Sequence, residues 1–377
     1  MRKISQLCVA ALAALALTAC DEDDRPSQPL PVAAPDTHQT AMGFTPWPAD
    51  LTADGVDRAY EFLSQNGNLI AHHFDGGIPW DEALTGDPFP QHLRNDWQNR
   101  QTRTPNGFKT LVAITPLNFD RDNLASAWTN KGENQTLPRR WASRSLDDAS
   151  VKKAYLNYAE RVVEVFDPDF FAIGIEANIM ISKSPEKWQE YLALNAHVYR
   201  GIKRKYPDLP VFTSVQYEHL RGIEDEAKPN LAKQAPAVRE LMRHSDLMAL
   251  STYRFGDLHP NPMTADYFDV AESFGKPIAI AESGAMSKPV RIFGIRLPAN
   301  ERGQAAFVGG LLDHAAEKDF PFVVNWVAVD FDPMIPKLPS PLDEIAKAWV
   351  HTGLQNADGD DKQALSVWRS YLDEYED

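Results

Sequence analysis

One periodic feature governs what this chain can fold into. From about residue 41 onward, apolar segments of strand length alternate with helix-like stretches, eight times over. The strand candidates lie at 41–47, 68–75, 109–118, 169–178, 211–219, 246–255, 277–284 and 322–331. A segment such as "PIAIAESG", 277–284, runs apolar without polar alternation, as expected of a strand buried on both faces of a parallel sheet. Between the strands, apolar residues recur at three- and four-residue spacing. The stretch "VKKAYLNYAERVVEVF", 151–166, is the clearest, and Ser184-Pro185 is a good helix start for the next one. Strand then helix, eight times, predicts an α/β fold consisting of a single (β/α)8 barrel, the TIM barrel. A doubly wound open sheet usually carries a glycine-rich phosphate turn after its first strand, and "PWPADLT" is no such turn. Long insertions at 118–150 and 284–300 follow the third and seventh strands, on the face where barrels of this kind keep their sites.

The N-terminus stands apart from this rhythm. Arg2 and Lys3 precede an apolar run from Leu7 to Leu17, too short to span a bilayer and shaped like a secretory signal. Residues 1–19 are read as that signal, 20–40 as a flexible acidic and proline-punctuated tether, and 41–377 as the barrel. "LTAC", Leu17 to Cys20, resembles a bacterial lipobox. That resemblance implies cleavage before Cys20 and acylation of the cysteine, palmitate included. The result would be a lipoprotein held at a membrane and facing the periplasm or exterior. Asp21 resembles an inner-membrane retention signal. Cys8 and Cys20 are the only cysteines, and Cys8 would leave with the signal, so no intramolecular disulfide is expected.

Net charge is −15 and no basic run interrupts it, which argues against nucleic acid and against polyanionic substrates. A neutral substrate fits. No cofactor and no metal are expected, and the barrel is expected to be a monomer.

Strand ends converge on the active face of such a barrel. Glu176 ends the fourth strand, where Ala172, Gly174 and Glu176 should share one face. Glu282 ends the seventh, and an ionised side chain at the mouth of a dry strand is costly without partners. Strands four and seven lie on opposite sides of the mouth, so two carboxyls can face each other across a cleft. That is what glycosidic hydrolysis by the two-carboxylate route requires. Other polar or aromatic residues at strand ends are His72 or His73, Asn178, Tyr217, Tyr253 and Trp326; adjacent residues alternate faces, so one histidine points inward. Trp47, Trp80, Trp97, Trp128 and Trp141 offer flat faces suited to pyranose rings.

On these residues the chain resembles clan A of the glycoside hydrolases. "IAIAESG" is similar to their nucleophile strand, "STYRF" to the strand whose tyrosine bonds the nucleophile, and "VVNWVAVD" to the strand whose tryptophan floors the cleavage subsite. The resemblance implies a retaining double displacement on a β-linked poly- or oligosaccharide, with Glu282 as nucleophile and Glu176 as acid/base. It implies Tyr253 and Trp326 as substrate-site residues, and His72, Tyr217 and Asn178 are expected beside them. Where the clan has asparagine before the acid/base, this chain has Ile175, and Asn178 is the candidate substitute.

Two other functions compete. A metal-dependent hydrolase would use His72 or His73, His219 and Asp330, although metal sites prefer histidines two apart on one strand face. A barrel that binds glycan without turnover is the alternative that Ile175 keeps open.

Overall fold

The computed structural model describes residues 40–222, 230–253 and 263–373. The signal, Cys20, Asp21 and nearly all of the tether lie outside these described residues. Among the described residues no helix is long and apolar enough to cross a membrane.

Eight parallel strands form the sheet: β1 Ala41–Phe44, β2 Leu69–Phe74, β3 Lys109–Ile114, β4 Phe170–Ala172, β5 in two pieces, Val211–Phe212 and Val215–Gln216, β6 Met248–Tyr253, β7 Ile278–Gly284 and β8 Phe322–Asn325. Each pairs with its successor, and β8 pairs back to β1 through Ala41↔Phe322. The ring closes at β5. Its first piece pairs with β4 (Ala172↔Phe212) and its second with β6 (Gln216↔Ser251). Only Thr213 and Ser214 lie between them, so the eightfold repeat folds as the expected barrel. Most strands are shorter than their apolar runs. β4 leaves ladder geometry after Ala172, and the run 211–219 turns into a short helix, Tyr217–Arg221, capped by Gln216.

Alternation along the strands builds two cores. Leu69, Ala71, Leu111, Ala113, Ala172, Ala249 and Ala279 face the barrel interior, which Phe170, Phe212 and Phe322 fill, the Phe170 and Phe322 rings being 4.6 Å apart. The opposite faces, with Ile70, Val112, Phe171, Leu250 and Ile280, pack under the helices. Alanines set among the leucines and phenylalanines let side chains fill a narrow barrel interior. The helices follow the periodicity. Ala149–Phe166 starts at Asp148, whose side chain accepts from Ser150 N, and buries Val151, Ala154, Tyr155, Tyr158 and Val162. After Ser184, a 3-10 turn Pro185–Lys187 leads into Trp188–Lys205.

The insertions form hairpins. Ala127–Thr129 pairs with Gly132–Gln135 after β3, and Val290–Ile292 with Ile295–Leu297 after β7. The second hairpin packs on the segment after β8 through Val290, Ile292, Leu297, Val327, Phe331 and Val350, making a small apolar lobe beside the mouth.

Candidate active site

Both glutamates reach the mouth because regular alternation fails at them. On β7, Ile280 pairs with Leu250 and Glu282 with Ser251, so Ala281 is an extra residue, a β-bulge. Were the strand regular with Ala281 paired, Glu282 would share the outward face of Ile278 and Ile280. With the bulge, Ala281 and Glu282 both turn inward, the re-aiming that bulges perform next to sites. On the fourth strand, a Cβ at Gly174 would collide with the Tyr191 hydroxyl of the surrounding helix, so Gly174 faces outward. Ile175 packs with the interior residues instead. The expectation that Ala172, Gly174 and Glu176 share one face is corrected accordingly. Glu176 comes to the mouth through a left-handed backbone, φ 49°, with its N–H donating to Ser214 Oγ at 2.9 Å.

Glu282 is 8% exposed, and the Tyr253 hydroxyl donates to its Oε2 at 2.8 Å. Its Oε1 lies 3.8 Å from His73 Nδ1. Burial pushes the carboxyl up to about 7, against the lowering influence of the Tyr253 hydrogen bond and of Arg121. The Tyr253 phenol is driven well above its usual range by burial, and further by the charges of Glu282 and Glu176. Burial holds His73 below its ordinary value.

Arg121, in the loop after β3, attends Glu176: Nη2 lies 3.5 Å from Glu176 Oε2. Its other donors are fixed on backbone carbonyls, Nε on Ile175 at 3.0 Å and Nη1 on Asn118 and Phe119 at 3.1 and 3.0 Å. A guanidinium held so firmly is a fixed positive charge beside Glu176. Nothing in the spacing around "NFDRDN" marks Arg121, because its role comes from a loop folded back over β4.

An aromatic wall stands beside the pair. Trp326 lies 5.6 Å from Trp47 and 6.1 Å from Trp349, and Trp349 lies 6.1 Å from Tyr253 at 84°. All three indoles are partly exposed. The Trp326–Val327 peptide is cis. Thr352 Oγ1 donates to Trp326 O, and Asn325 Nδ2 to Val327 O and Thr352 O, so the chain after β8 is tied to the turn carrying Trp349. Trp349 escapes a strand-end reading because it sits well after β8.

Other expected site residues lie elsewhere. His72 faces outward, bonding Thr104 Oγ1 at 3.0 Å with its ring against Phe166; His73 is the inward histidine. Asn178 is fully buried and its amide is engaged by Gln216 N, Gln216 O and Gln234 Oε1, so it clamps β5 instead of facing the cleft. Tyr217 opens the short helix and is buried outside the barrel, donating to Tyr267 O and stacking on Phe268. Trp80, Trp97, Trp128 and Trp141 are buried in the helix layer. The histidines and aspartate of a metal-dependent route do not converge: His219 bonds Ser182, while Asp330 takes the Lys362 ammonium at 2.6 Å. Asp330, Asp332 and His351 do cluster within 4.8 Å, but Lys362 already supplies a cation there.

The class this fold and site define is a parallel eight-stranded barrel with two carboxyls, a tyrosine and an aromatic wall at the C-terminal mouth of its strands. No family description and no curated sequence matches the chain. Among solved structures it is similar to the exo-β-1,4-mannosidase Op5Man5 from Opitutaceae bacterium strain TAV5 (TM-score 0.61, 14% identity), covering 89% of this chain and 60% of that one. It is similar to a GH5 protein of subfamily 18 from Streptomyces cattleya, solved with Manβ1-4GlcNAc (TM-score 0.60, 14% identity, 89% and 80% covered). It is also similar to the GH53 catalytic domain of Ignisphaera aggregans (TM-score 0.53, 17% identity, 88% and 91% covered). The chain thus spans about 60% of the mannosidase's length. At these identities the likeness establishes the barrel fold.

Proposed function

We propose that this protein is a glycoside hydrolase that cleaves a β-glycosidic bond in a poly- or oligosaccharide by a retaining double displacement. Glu282 attacks the anomeric carbon and Glu176 protonates the leaving oxygen, then deprotonates the water that releases the sugar. The observation that carries this is the Tyr253–Glu282 hydrogen bond of 2.8 Å, in a mouth where Glu176 and Glu282 both act on the same phenol. The hydrogen bond occupies Oε2 and leaves Oε1 to attack. The Trp47–Trp326–Trp349 wall supplies flat apolar faces for a sugar ring. The mannosidase and the GH5 neighbour, both concerned with β-1,4-linked mannose in their names or ligands, make β-mannosides the first substrates to try.

The proton arrangement bears on the roles. Burial favours a neutral Glu282, whereas a nucleophile must be charged. The working state requires that Glu282 give up its proton, or that the two roles be exchanged. Azide rescue decides. With a β-glycoside bearing an activated leaving group, Glu176→Ala plus azide should give the β-glycosyl azide and Glu282→Ala plus azide the α-anomer. The reverse pattern exchanges the roles. Binding without turnover in the unaltered protein would leave a non-catalytic glycan-binding barrel.

A further inference from the structure

His73 is a buried polar group whose bonding is incomplete. It stands at the inner end of β2 with its side chain 12% exposed. Nε2 is buried with no hydrogen-bond partner. Nδ1 meets Glu282 Oε1 at 3.8 Å, beyond hydrogen-bond reach. Its neighbour His72, by contrast, is tied to Thr104. Nε2 stays on the buried side of the ring, and Nδ1 is the nitrogen turned to Glu282, where a ligand atom could complete its bonding.

Two polar atoms 3.8 Å apart leave room for one oxygen beside them that bonds to both. A hydroxyl is suited to that place, since it donates to the carboxylate and accepts from a ring N–H. Burial keeps the ring neutral, so it has one N–H and one lone pair to offer; Asp75 and Glu176 oppose this, and Arg100 and Arg121 reinforce it. Oε1 is the glutamate oxygen that Tyr253 leaves open. If it attacks the anomeric carbon, the nearest hydroxyl of the sugar is the one on the adjacent carbon.

Resting on the glycosidase reading above, the geometry points to His73 as the residue that binds the 2-hydroxyl of the sugar whose bond is broken. Ile175 offers no polar group there, and the Asn178 amide is engaged with β5 and Gln234. Recognition beside the reacting carbon therefore comes from β2, and the substrate class is a glycoside with a free 2-hydroxyl.

The test compares kcat/KM for an aryl β-glycoside and its 2-deoxy analogue, each divided by its uncatalysed rate. The unaltered enzyme, His73→Ala and His73→Gln are measured, with melting curves to establish folding. The penalty for losing the hydroxyl should shrink about tenfold in His73→Ala, the worth of one hydrogen bond, and be partly restored in His73→Gln, whose amide both donates and accepts. A full penalty retained in both folded variants overturns the assignment while leaving the glycosidase reading intact. Absence of turnover by the unaltered protein on every glycoside overturns both.

Discussion

Arg121 Nη2 lies 3.5 Å from Glu176 Oε2, while Glu282 takes its hydrogen bond from a phenol. The cation thus attends the proposed proton donor, and its field also lowers Glu282. The same field lowers His73, and Asp75 opposes it at both His73 and Glu282. Arg121→Gln removes the charge, so Glu282 should hold its proton more tightly. The limb of the kcat/KM profile that reports Glu282 should move alkaline by about half to one pH unit. Arg121→Lys should restore much of the original profile. A profile that stays in place in Arg121→Gln would remove Arg121 from the electrostatics of the site.

Tyr253→Phe keeps the ring packing and loses the donor to Glu282. Turnover should fall by roughly ten- to a hundredfold, the range for one hydrogen bond to a charged group. The acidic limb should also shift upward, because that hydrogen bond lowers the carboxyl. Unchanged kinetics on every hydrolysed substrate would show that the phenol does not support the nucleophile.

Glu282 also links activity to stability. Its folded value of about 7 exceeds the ordinary 4.5, so between these values the folded state holds a proton that the unfolded state releases. Stability from this group is present below the lower value and is lost as pH rises through the upper one. Glu282→Gln should therefore be more stable than the unaltered protein at pH 8, by at most about 3 kcal/mol, with the difference fading below about pH 4.5. Denaturant unfolding across this range measures it; a pH-independent difference would contradict the burial account.

The tryptophans divide into two kinds with separable effects. Trp349→Ala should raise KM for oligosaccharides several-fold or more through loss of the wall. Trp97→Ala, which empties a buried position among Phe74, Phe89 and Tyr158, should cost about 3–5 kcal/mol of stability and leave KM nearly unchanged. Equal KM in both variants would place the sugar elsewhere.

The lipobox resemblance yields a separate expectation. Cys20→Ala should block lipidation and leave unprocessed or released protein, read by membrane fractionation and acyl labelling. Persistent labelling in that variant would refute the anchor.

The barrel was legible because a strand buried on both faces must be apolar throughout, so 41–47 and 322–331 announce themselves without neighbours. The ends of those strands were less legible. Val215-Gln216-Tyr217 reads as continuing strand, yet Gln216 caps a helix and Tyr217 leaves the mouth. Glu176, Tyr253 and Glu282 were legible as polar residues closing dry segments. His73 could not be chosen over His72 from two identical neighbours, since the choice depends on ladder register. Arg121 and Trp349 reach the mouth from loops, where no period constrains position. Trp80 and Trp141 have the same chemistry as a sugar platform, and burial alone distinguishes them.

The extra residue on β7 has a consequence for comparing this chain with others. Ala281 is an insertion in the pairing frame of β6 and β7, and Glu282 follows it opposite Ser251. Substituting Ala281 by another small residue leaves the bulge intact, whereas deleting it would make the pairing regular, with the glutamate still opposite Ser251. A chain without the extra residue would carry the same inward glutamate one position earlier along its strand. An alignment that slides one position across "IAIAES" would thus score well and still match the wrong side chain to a catalytic column. Chains related to this one are better compared by the residue opposite Ser251 than by the residue count from Pro277.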